Sequence, residues 1–356
     1  MRILHIVAGE KWTGIAAVVH DWTKALVEAG VETQFAFSAG HNLEKRLLPT
    51  GWARPLLTSP HGVAGTLRDF PELSRTLDRE PVDVLHVHTS HDHYLAALAR
   101  RRRAPRPRLV RTIHHIRHTR PDPLMRRLFR STDAFAFANR DIARALGCER
   151  PIHSPVVDTA VFAPGPKPAS LPAIGALPAG RLVVGTVGKL SPGRGHEEAI
   201  DAAASLPEAV LLHVGKGEHR PALEAKASSA GTPGRNLWAG YQDEGLPEFY
   251  RAMDVFLFTA SGSQQGQRAV LEAMASGLPV ASLDVTGVRD LVTDGVEGFV
   301  TASVPELARA LAKLSADPPL RARMGEAARQ RALSFTASRF AADAAAFYAS
   351  PRGNRV

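Results

Sequence analysis

The feature that most restricts the fold of this chain is an alternation of short apolar runs with segments of helical spacing. In the first half of the sequence, the apolar runs that predict strands lie at 2–8, 33–37, 82–87, 109–113 and 134–138. Segments between them, such as 16–29 and 94–102, carry apolar residues at helical spacing. Strands that alternate with helices pair in parallel, so the pattern predicts a doubly wound α/β domain.

The alternation starts again after a segment rich in proline and glycine at 163–172, which predicts a linker. The later predicted strands lie at 182–187, 209–214, 237–239, 255–258 and 280–282. The later predicted helices lie at 197–204, 246–252, 269–276, 301–314, 320–332 and 338–348. We therefore expect two Rossmann-like domains that face a central cleft, because ligands of such sheets bind beyond the carboxyl ends of the strands.

Composition narrows the class of protein. The 356 residues suffice for two cores, and the single cysteine, Cys148, excludes an intrachain disulfide and a multi-cysteine zinc site. No apolar run reaches the roughly 18 residues of a membrane-spanning helix. The start of the chain, Met1 to Gly9, is too short and too interrupted for a signal peptide and predicts a first strand. We therefore expect a cytoplasmic protein.

The net charge of +9 is confined to the first 150 residues, which contain 24 Lys and Arg residues against 15 Asp and Glu residues. Residues 100–130 contain twelve arginines and one carboxylate, and 123–130 has the pattern of a short basic amphipathic helix. This asymmetry predicts an anionic partner, either a charged acceptor or the surface of a membrane. The candidate contacts are Arg117, Arg120, Arg126, Arg127 and Arg130.

The basic half is also compatible with two simpler origins. Arginine outnumbers lysine 36 to 8, as expected for a GC-rich genome, and the arginines can also form a solvated face. Nucleic acid is disfavoured as a partner, because no recognition motif is present and aromatic residues make up only 6% of the chain.

Two loops that follow predicted strands are candidate anion sites. The loop from Gly9 to Gly14 opens a helix whose backbone N–H groups can face an anion. It matches neither G-x-G-x-x-G nor a P-loop, so it is also compatible with a plain strand–helix turn. The loop at 187–195 places Lys189 and Arg194 five residues apart in a glycine-rich turn, where both cations can bind one diphosphate. It is also compatible with a solvated loop whose charges are incidental.

A third candidate is the segment at 260–280, which runs from small residues into a helix. Arg268 and Ala269 fall near the start of that helix, where its positive end favours an anion. The Arg268 side chain can help to hold a diphosphate or can point to solvent. Glu272 follows one turn later and can accept hydrogen bonds from a ribose diol.

The glycine-rich loop Gly188-Lys-Leu-x3-Arg194-Gly195 resembles the G-R-L-x3-K-G motif of the retaining glycosyltransferases of family 4, also called group 1. Further segments of the C-terminal half follow the order and spacing of that family, at 214–218, 240–241, 246–255, 261, 294–295 and 298–299. In the N-terminal half, the segments that fit are Gly9 and Gly14, 83–88, 112–114 and 157–162. The resemblance covers essentially the whole chain.

The resemblance implies the GT-B fold, with an acceptor-binding domain at 1–165, a donor-binding domain at 166–335 and a final helix, 336–356, that crosses back to the first domain. It implies a UDP- or GDP-sugar as the donor substrate, no bound metal and no cofactor. The implied catalytic residues are His114, Lys189, Arg194 and Gln264. The implied donor-binding residues are Gly14, Gly188, Gly215, Gly217, Tyr241, Gly266, Gln267, Arg268, Ala269 and Glu272.

The function implied by the family is retaining transfer of a hexosyl or related group to a bacterial cell-envelope glycan or glycolipid, such as lipopolysaccharide. Lys189, Arg194 and the helix start near Arg268 would stabilise the charge that grows on the leaving β-phosphate. His114 would lie near the donor sugar. Family members often dock on the inner face of the membrane, so peripheral membrane binding is implied as well.

One departure from the family affects the sugar site. The family has two glutamates spaced E-x7-E, whereas this chain has Gln264 and Glu272. An amide can hydrogen-bond a sugar hydroxyl but cannot be an anion or a base. A degenerate, non-catalytic sugar-nucleotide binder is therefore an alternative, and a GT-B epimerase or phosphorylase is another.

A metal site is a further alternative, suggested by the histidine-rich run at 86–93. The run resembles the H-x-H-x-D-H pattern of metallohydrolases, but Ser90 stands where the aspartate belongs. We therefore predict that these residues form the end of a strand with solvated or substrate-facing imidazoles.

Overall fold

The computed structural model describes residues 1–9, 12–39, 42–57, 63–101, 103–119, 123–149, 153–242, 245–260 and 264–350. For residues 42, 63, 117, 119 and 264–266 it describes the backbone only. The chain divides into two compact units, one formed by 1–156 and 337–356 and the other by 157–336. Within the described residues, no helix combines the length and apolarity needed to cross a membrane.

The first unit contains a six-stranded parallel sheet with the order β3-β2-β1-β4-β5-β6. Its strands are β1 (Arg2–Val7), β2 (Glu32–Ser38), β3 (Ala53–Leu57), β4 (Val84–Val87), β5 (Arg108–Ile113) and β6 (Ala134–Phe137). Its helices are α1 (Gly14–Glu28), α2 (Asn42–Leu47), α3 (Val63–Arg79), α4 (Ser90–Arg100), α5 (Pro123–Arg130), α6 (Arg140–Ala145) and, from the end of the chain, α14 (Ala337–Ala349).

The second unit repeats this topology with the order β11-β10-β9-β12-β13-β14. Its strands are the antiparallel pair β7 (Ser170–Leu171) and β8 (Gly175–Ala176), then β9 (Leu182–Val187), β10 (Ala209–Val214), β11 (Asn236–Gly240), β12 (Val255–Phe258), β13 (Val280–Leu283) and β14 (Gly298–Thr301). Its helices are α7 (His196–Ala204), α8 (Arg220–Ser229), α9 (Leu246–Ala252), α10 (Gln264–Ala275), α11 (Val288–Leu291), α12 (Val304–Ala316) and α13 (Pro318–Ala332).

The final helix α14 belongs to the first unit, where it packs on α1. The rings of Trp22 and Phe340 stack with centroids 5.3 Å apart, and the Trp22 indole N–H donates to the carbonyl of Ser154 at 3.0 Å. Arg108 donates to the carbonyls of Phe347 and Tyr348 at the end of α14. A cation at the C-terminal end of a helix is favoured by its exposed carbonyls, so Arg108 fastens α14 to the sheet.

The structure differs from the predicted linker. The N-terminal part of the first unit ends at Val156, and the segment predicted as a linker lies inside the second unit. Leu171 is 1% exposed in the core of that unit, and residues 170–176 form the pair β7 and β8. The frequent prolines therefore indicated a segment without long helices or strands, but this segment packs against the core of the second unit.

Several elements lie outside the predicted pattern. Strand β3 contains an Arg-Pro pair, and the proline is tolerated because β3 is an edge strand. Helix α3 contains Pro71 and many charged residues, which obscure its apolar stripe. The edge strand β14 has four residues, and helix α12 begins at Val304 rather than at 301 because Ser303 caps it by accepting from the backbone N–H of Glu306.

Candidate functional site

The order of strands in the second unit defines a crevice between β9 and β12. Strand β9 is central, with β10 on one side and β12 on the other. After β9 the chain continues to β10 on one side of the sheet, whereas after β12 it continues to β13 on the other side. The loop after β9 leads to α7, and the loop after β12 leads to α10. Ligands of open parallel sheets bind at such a switch point.

Glycines pack the loops at this edge of the sheet against each other, backbone to backbone. A Cβ on Gly215, whose φ is +149°, would lie 1.9 Å from the carbonyl oxygen of Gly188. A Cβ on Gly217 would lie 1.8 Å from the carbonyl oxygen of Leu190. Any larger residue at these two positions would separate the loops that follow β9 and β10, so the glycines fix the loop that carries Lys189 and Arg194.

The same loop is also fixed on the side of β12. A Cβ on Gly195 would lie 2.3 Å from the carbonyl oxygen of Thr259, and the Thr259 hydroxyl donates to the carbonyl of Gly195 at 2.6 Å. At the start of α7, Nε2 of His196 lies 3.2 Å from the carbonyl oxygen of Lys189. Both ends of the cationic loop are therefore tied to the sheet edge.

The cations of this edge are accessible. Lys189 is 56% exposed, and its ammonium lies 3.3 Å from the carboxylate of Glu218, whereas Arg194 is half-buried at the end of the loop. Lys216 lies over the exposed ring of Tyr241, with its Nζ 4.8 Å from the ring centroid. An exposed ion pair is weak, so an anion of higher charge can displace Glu218 from Lys189.

Glu272 is a buried carboxylate on α10 whose contacts include the side chains of Tyr250 and Arg268. The Tyr250 hydroxyl donates to Oε2 at 2.8 Å, and Nε of Arg268 donates to Oε1 at 2.9 Å. Burial and the Glu272 carboxylate raise the pKa of Tyr250 well above its ordinary value, so this hydroxyl stays a donor. The sequence predicted two roles for Arg268, a diphosphate ligand or a solvated side chain. Neither prediction included its contact with the Glu272 carboxylate.

The other predicted residues of α10 lie mostly inside the fold. Gln267 and Ala269 are buried, and the carbonyl of Ala269 accepts a second contact from the Tyr250 hydroxyl at 3.3 Å. The backbone of Gly266 lies in the first turn of the helix. The side chain of Gln264 lies outside the described part of the structure, so its predicted role stays a prediction.

In the first unit, Gly14 forms the first residue of α1, and Thr13 caps this helix by accepting from the backbone N–H of Ala16 at 3.3 Å. Its predicted role at the donor stays a prediction. The corresponding switch point of this sheet lies between β1 and β4, and the Asp92 carboxylate joins the two strand ends there by accepting from the backbone of Ala8 and Thr89.

The predicted residue His114 ends a chain of three buried imidazoles. Its Nε2 lies 2.9 Å from Nδ1 of His88, and Nε2 of His88 lies 3.0 Å from Nδ1 of His5. Beside this chain, His86 contacts the Tyr348 hydroxyl at 2.6 Å and the Thr112 hydroxyl at 2.7 Å. Burial lowers the pKa of His5 to about 3 and holds the pKa values of His86 and His88 well below their ordinary range, so these three rings are neutral at pH 7.

The prediction that the histidine-rich run is solvated is wrong, and whether any of its imidazoles faces a substrate stays a prediction. His86, His88 and His93 are buried, because β4 lies at the centre of the sheet and α4 packs against it. His91 faces Asp69, and Nε2 of His93 contacts the Thr132 hydroxyl at 2.7 Å. These last two side chains therefore do not meet His86 and His88.

Among the described residues, one group of three potential metal ligands is present, formed by His5, His86 and His88, whose ligand atoms lie within 4.8 Å of one another. Both nitrogens of His86 and of His88 are already within hydrogen-bond distance of a partner. The His86 ring is tilted relative to its neighbours, with centroids 4.4 and 4.7 Å away. The contacts are those of a hydrogen-bonded core.

The arginine-rich segment divides into structural and exposed residues. Arg100 binds Asp133 and the carbonyl of Ser131, and Arg103 binds Asp78 and the carbonyl of Ser74. Arg111 is 2% exposed and donates to the carbonyl of Thr89. Arginines on the solvent side are Arg101, Arg106, Arg126, Arg127 and Arg130.

Helix α5 has its apolar side in the core. Leu128 and Phe129 are buried in core clusters of the first unit, whereas Leu124 is 63% exposed. Part of the amphipathic pattern at 123–130 therefore packs in the core, and α5 exposes Leu124 to solvent together with its arginines. The side chain of Arg117 and all of Arg120 lie outside the described residues.

The comparisons with known proteins agree with this architecture. The family model of glycosyl transferases group 1 matches residues 170–331, and that of glycosyltransferase family 4 matches residues 12–157. The D-inositol 3-phosphate glycosyltransferase of Kribbella flavida is 30% identical over 296 residues, which cover 72% of this chain and 69% of that protein. The lipopolysaccharide core biosynthesis glycosyltransferase LpsE of Rhizobium meliloti is 35% identical over 151 residues, which cover 42% of this chain and 44% of LpsE.

Similarity to solved structures extends over both units. The crystal structure of Anabaena Alr3699/HepE in complex with UDP superposes with a TM-score of 0.80 at 21% identity, and the match covers 97% of this chain and 99% of that chain. The fold is thus that of the GT-B proteins, as the sequence predicted. The chain belongs to glycosyltransferase family 4, also called glycosyl transferases group 1. It spans less than half the length of LpsE.

Sequence reasoning missed the partners of the predicted residues. Tyr250 was part of a family motif without a role, yet its hydroxyl contacts Glu272 from 22 positions away. Glu218 and Thr259 follow other strands and contact Lys189 and Gly195, respectively, in the loop after β9. The order of the strands could have indicated these contacts, because it places the loops that carry them at one edge of the sheet.

Proposed function

We propose that this protein is a metal-independent, retaining glycosyltransferase that moves a sugar from a nucleoside-diphosphate sugar to a glycan or glycolipid of the cell envelope. The observation that carries the proposal is the switch point between β9 and β12. There, close glycine packing fixes the loop of Lys189 and Arg194 next to the loop that leads into α10.

The chemistry of this edge suits a diphosphate that leaves the anomeric carbon of a sugar. Negative charge grows on the β-phosphate as the glycosidic bond breaks. Lys189, Arg194 and the N-terminal end of α10 supply positive potential without a metal ion. Binding of the diphosphate replaces the contact between Lys189 and Glu218.

Glu272 receives the ribose of the donor in this proposal. An ionised carboxylate accepts at about four lone-pair sites, so a ribose diol can add hydrogen bonds beside those from Tyr250 and Arg268. Gln264 hydrogen-bonds the sugar as an amide, and His114 contacts a sugar hydroxyl. Attack from the face of the leaving phosphate needs no protein base, which is compatible with glutamine at position 264.

The relatives suggest the donor and the acceptor. Alr3699/HepE has been crystallised with UDP and with UDP-glucose, which supports a uridine nucleotide as the first donor to test. LpsE acts in lipopolysaccharide core biosynthesis, which supports an envelope acceptor. The exposed Arg126, Arg127 and Arg130 on α5 support an anionic acceptor or an anionic membrane surface next to the first unit.

The test begins with thermal unfolding in EDTA, with UDP, GDP, ADP and CMP and their sugars added one at a time. A ligand at 100 times its Kd stabilises the folded state by about 2.7 kcal/mol, which is a visible shift in Tm. We expect one nucleotide family to stabilise the protein, and Lys189→Ala to abolish most of that shift. Lys226→Ala is the matched control, because Lys226 also forms a surface ion pair, with Asp201, but lies on α8.

Transfer is then measured with radiolabelled donor and a panel of envelope glycolipids, and the anomeric configuration of the product by NMR. Inversion at the anomeric carbon, or a requirement for Mg²⁺, would contradict the proposed mechanism. Nucleotide binding without transfer or donor hydrolysis under any condition would instead favour the non-catalytic binder to which Gln264 points.

A further inference from the structure

Two half-buried side chains join the segments that follow β9 and β10 in the second unit. Nε2 of His219 lies 2.5 Å from Oε1 of Glu197. Glu197 is in the first turn of α7, and His219 directly precedes the first residue of α8. The contact therefore lies where both helices begin, next to the edge of the sheet that carries the candidate donor site.

The chemistry of this contact is that of a hydrogen bond to a charged acceptor. Burial raises the pKa of Glu197 and the hydrogen bond from His219 lowers it, and the net effect is a lowered pKa, so this carboxylate is ionised at pH 7. An ionised carboxylate only accepts, so Nε2 of His219 carries a hydrogen whether the ring is neutral or protonated. Such bonds are stronger than those between neutral groups, and partial burial reduces their screening by salt.

The turn that carries His219 contacts the cationic loop after β9 at three points. The backbone N–H of His219 donates to the carbonyl of Leu190 at 3.1 Å. Gly217 packs against the same carbonyl, which a Cβ at this position would approach to 1.8 Å. Between them, the Glu218 carboxylate lies 3.3 Å from the ammonium of Lys189. A shift of this turn would therefore move the neighbours of Lys189.

Helix α7 contacts the same loop from its other side. Nε2 of His196, the first residue of α7, lies 3.2 Å from the carbonyl oxygen of Lys189, and Glu197 follows it directly. The contact of Glu197 with His219 thus closes a ring of contacts around Lys189. Unlike the glycine packing, this link is formed by side chains alone, so it can be removed without a direct change to the backbone of the loop.

We infer that His219 and Glu197 are positioning residues for the diphosphate of the donor. Their contact holds the turn after β10 against α7 and thereby fixes the loop of Lys189, while neither side chain binds the diphosphate itself. The inference rests on the proposed donor site, because binding of the diphosphate reports the position of this loop.

Isothermal titration of the full chain with inorganic pyrophosphate in EDTA tests the inference, since this probe reports on the cationic loop without a base or a sugar. We expect His219→Leu to weaken pyrophosphate binding about fivefold or more, because the loop loses one charged hydrogen bond that holds it. His219→Gln should recover most of the affinity, because an amide nitrogen in place of Nε2 can donate to the same carboxylate. Glu197→Leu should lose as much as His219→Leu, and the double variant should lose no more than either.

Asp201→Ala is the matched control. The ion pair of Asp201 with Lys226, at 2.6 Å, joins the same two helices, α7 and α8, but farther along both of them. This variant should leave the affinity for pyrophosphate unchanged, even if it lowers Tm. Equal losses of affinity in Asp201→Ala and His219→Leu, or no recovery in His219→Gln, would overturn the inference, since the contact would then act only through the stability of the fold.

The outcomes separate this inference from the proposed function. Binding of pyrophosphate and UDP that is equal in the unsubstituted protein and in His219→Leu would remove the inference and keep the donor site. Absence of binding to the unsubstituted protein, for pyrophosphate and for every nucleotide of the thermal screen, would remove both. In the transfer assay, His219→Leu should lower kcat/KM for the donor by about the same factor as the affinity for pyrophosphate, and His219→Gln should recover most of it.

Discussion

At the scale of single residues, the second unit depends on how a buried carboxylate is held. Glu272 is 5% exposed and would be costly to bury alone. The Tyr250 hydroxyl and the Arg268 guanidinium compensate for its burial from two sides. This arrangement orients both oxygens of the carboxylate before any ligand arrives.

Replacement of Tyr250 by phenylalanine tests this role. We expect Tyr250→Phe to lower the free energy of unfolding by about 1 kcal/mol and the affinity for UDP several-fold, because one oxygen of Glu272 loses its donor. Isothermal titration with UDP and urea unfolding measure the two effects. Tyr348→Phe is the control, since it removes a similar buried contact, to His86, in the first unit. An equal loss of UDP affinity in both variants would contradict the prediction.

The buried histidines of the first unit make its stability dependent on pH. Burial lowers the pKa of His5 to about 3 and that of His153 to about 4, whereas both titrate near 6.5 in the unfolded chain. The unfolded state therefore binds more protons between these values. The stability from neutral burial is complete above pH 6.5 and is lost as the pH falls through the window from about 6.5 to 4.

We expect urea unfolding at pH 7.5, 6.5, 5.5 and 5.0 to show a steady fall in the free energy of unfolding of the first unit. The slope is at most about 1.4 kcal/mol per pH unit for each histidine that stays neutral in the folded state. His153→Phe should reduce the slope. A free energy that does not change between pH 7.5 and 5.0 would exclude this linkage.

At the scale of elements, the candidate donor site is a set of loops and not a single motif. The loops after β9, β10 and β12 belong to neighbouring strands, and glycine at 195, 215 and 217 lets their backbones touch. The helices that follow these strands fix the far ends of the loops. The cations of the loop after β9 thus take their positions from residues up to 64 positions away, through the contact of Thr259 with Gly195.

Gly217→Ala tests the backbone packing. The added Cβ would lie 1.8 Å from the carbonyl oxygen of Leu190, so the two loops must separate. We expect a loss of UDP affinity of tenfold or more, together with a lower Tm. Gly234→Ala is the matched control, because a Cβ there has no atom of the described residues within 4 Å. Unchanged binding in Gly217→Ala would show that the loop of Lys189 does not depend on this contact.

At the scale of the whole molecule, the positive charge of the N-terminal half has two different uses. Buried or half-buried arginines such as Arg108 and Arg111 bind backbone carbonyls and stabilise the first unit. The exposed arginines of α5 create a basic surface, while the apolar residues Leu128 and Phe129 face the core. Attraction to an anionic surface is therefore expected to be mainly electrostatic and to weaken with salt.

Sedimentation with vesicles of anionic and zwitterionic lipid tests this surface. Each exposed arginine contributes up to about 1 kcal/mol near an anionic bilayer at low salt. We expect Arg127→Gln with Arg130→Gln to weaken binding to anionic vesicles about tenfold or more. Arg309→Gln with Arg323→Gln, which removes two exposed arginines from the second unit, should have little effect. Equal losses in the two double variants would indicate that only net charge matters.

The sequence alone determined the fold class, because the period of the apolar residues reports which side chains a strand or helix must bury. Every strand predicted from it is present, while the edge strands β3 and β14 were missed because their apolar runs are short or interrupted. Glycines and cations in loops after strands also identified Lys189 and Arg194 as candidates, since the chain places such loops at one edge of a parallel sheet. Glu272 was identified from its place near the start of the helix predicted to follow such a loop.

The tertiary structure decided which of these groups meet and which are buried. Periodicity does not report pairs such as Tyr250 with Glu272 or His5 with His88, because their distance in the sequence is unrelated to their distance in the fold. It also does not distinguish a solvated arginine from one that binds carbonyls, or a strand-end histidine from a core residue. The burial and the partners of such a side chain depend on which helices and strands pack over it. That packing is known only from the tertiary structure.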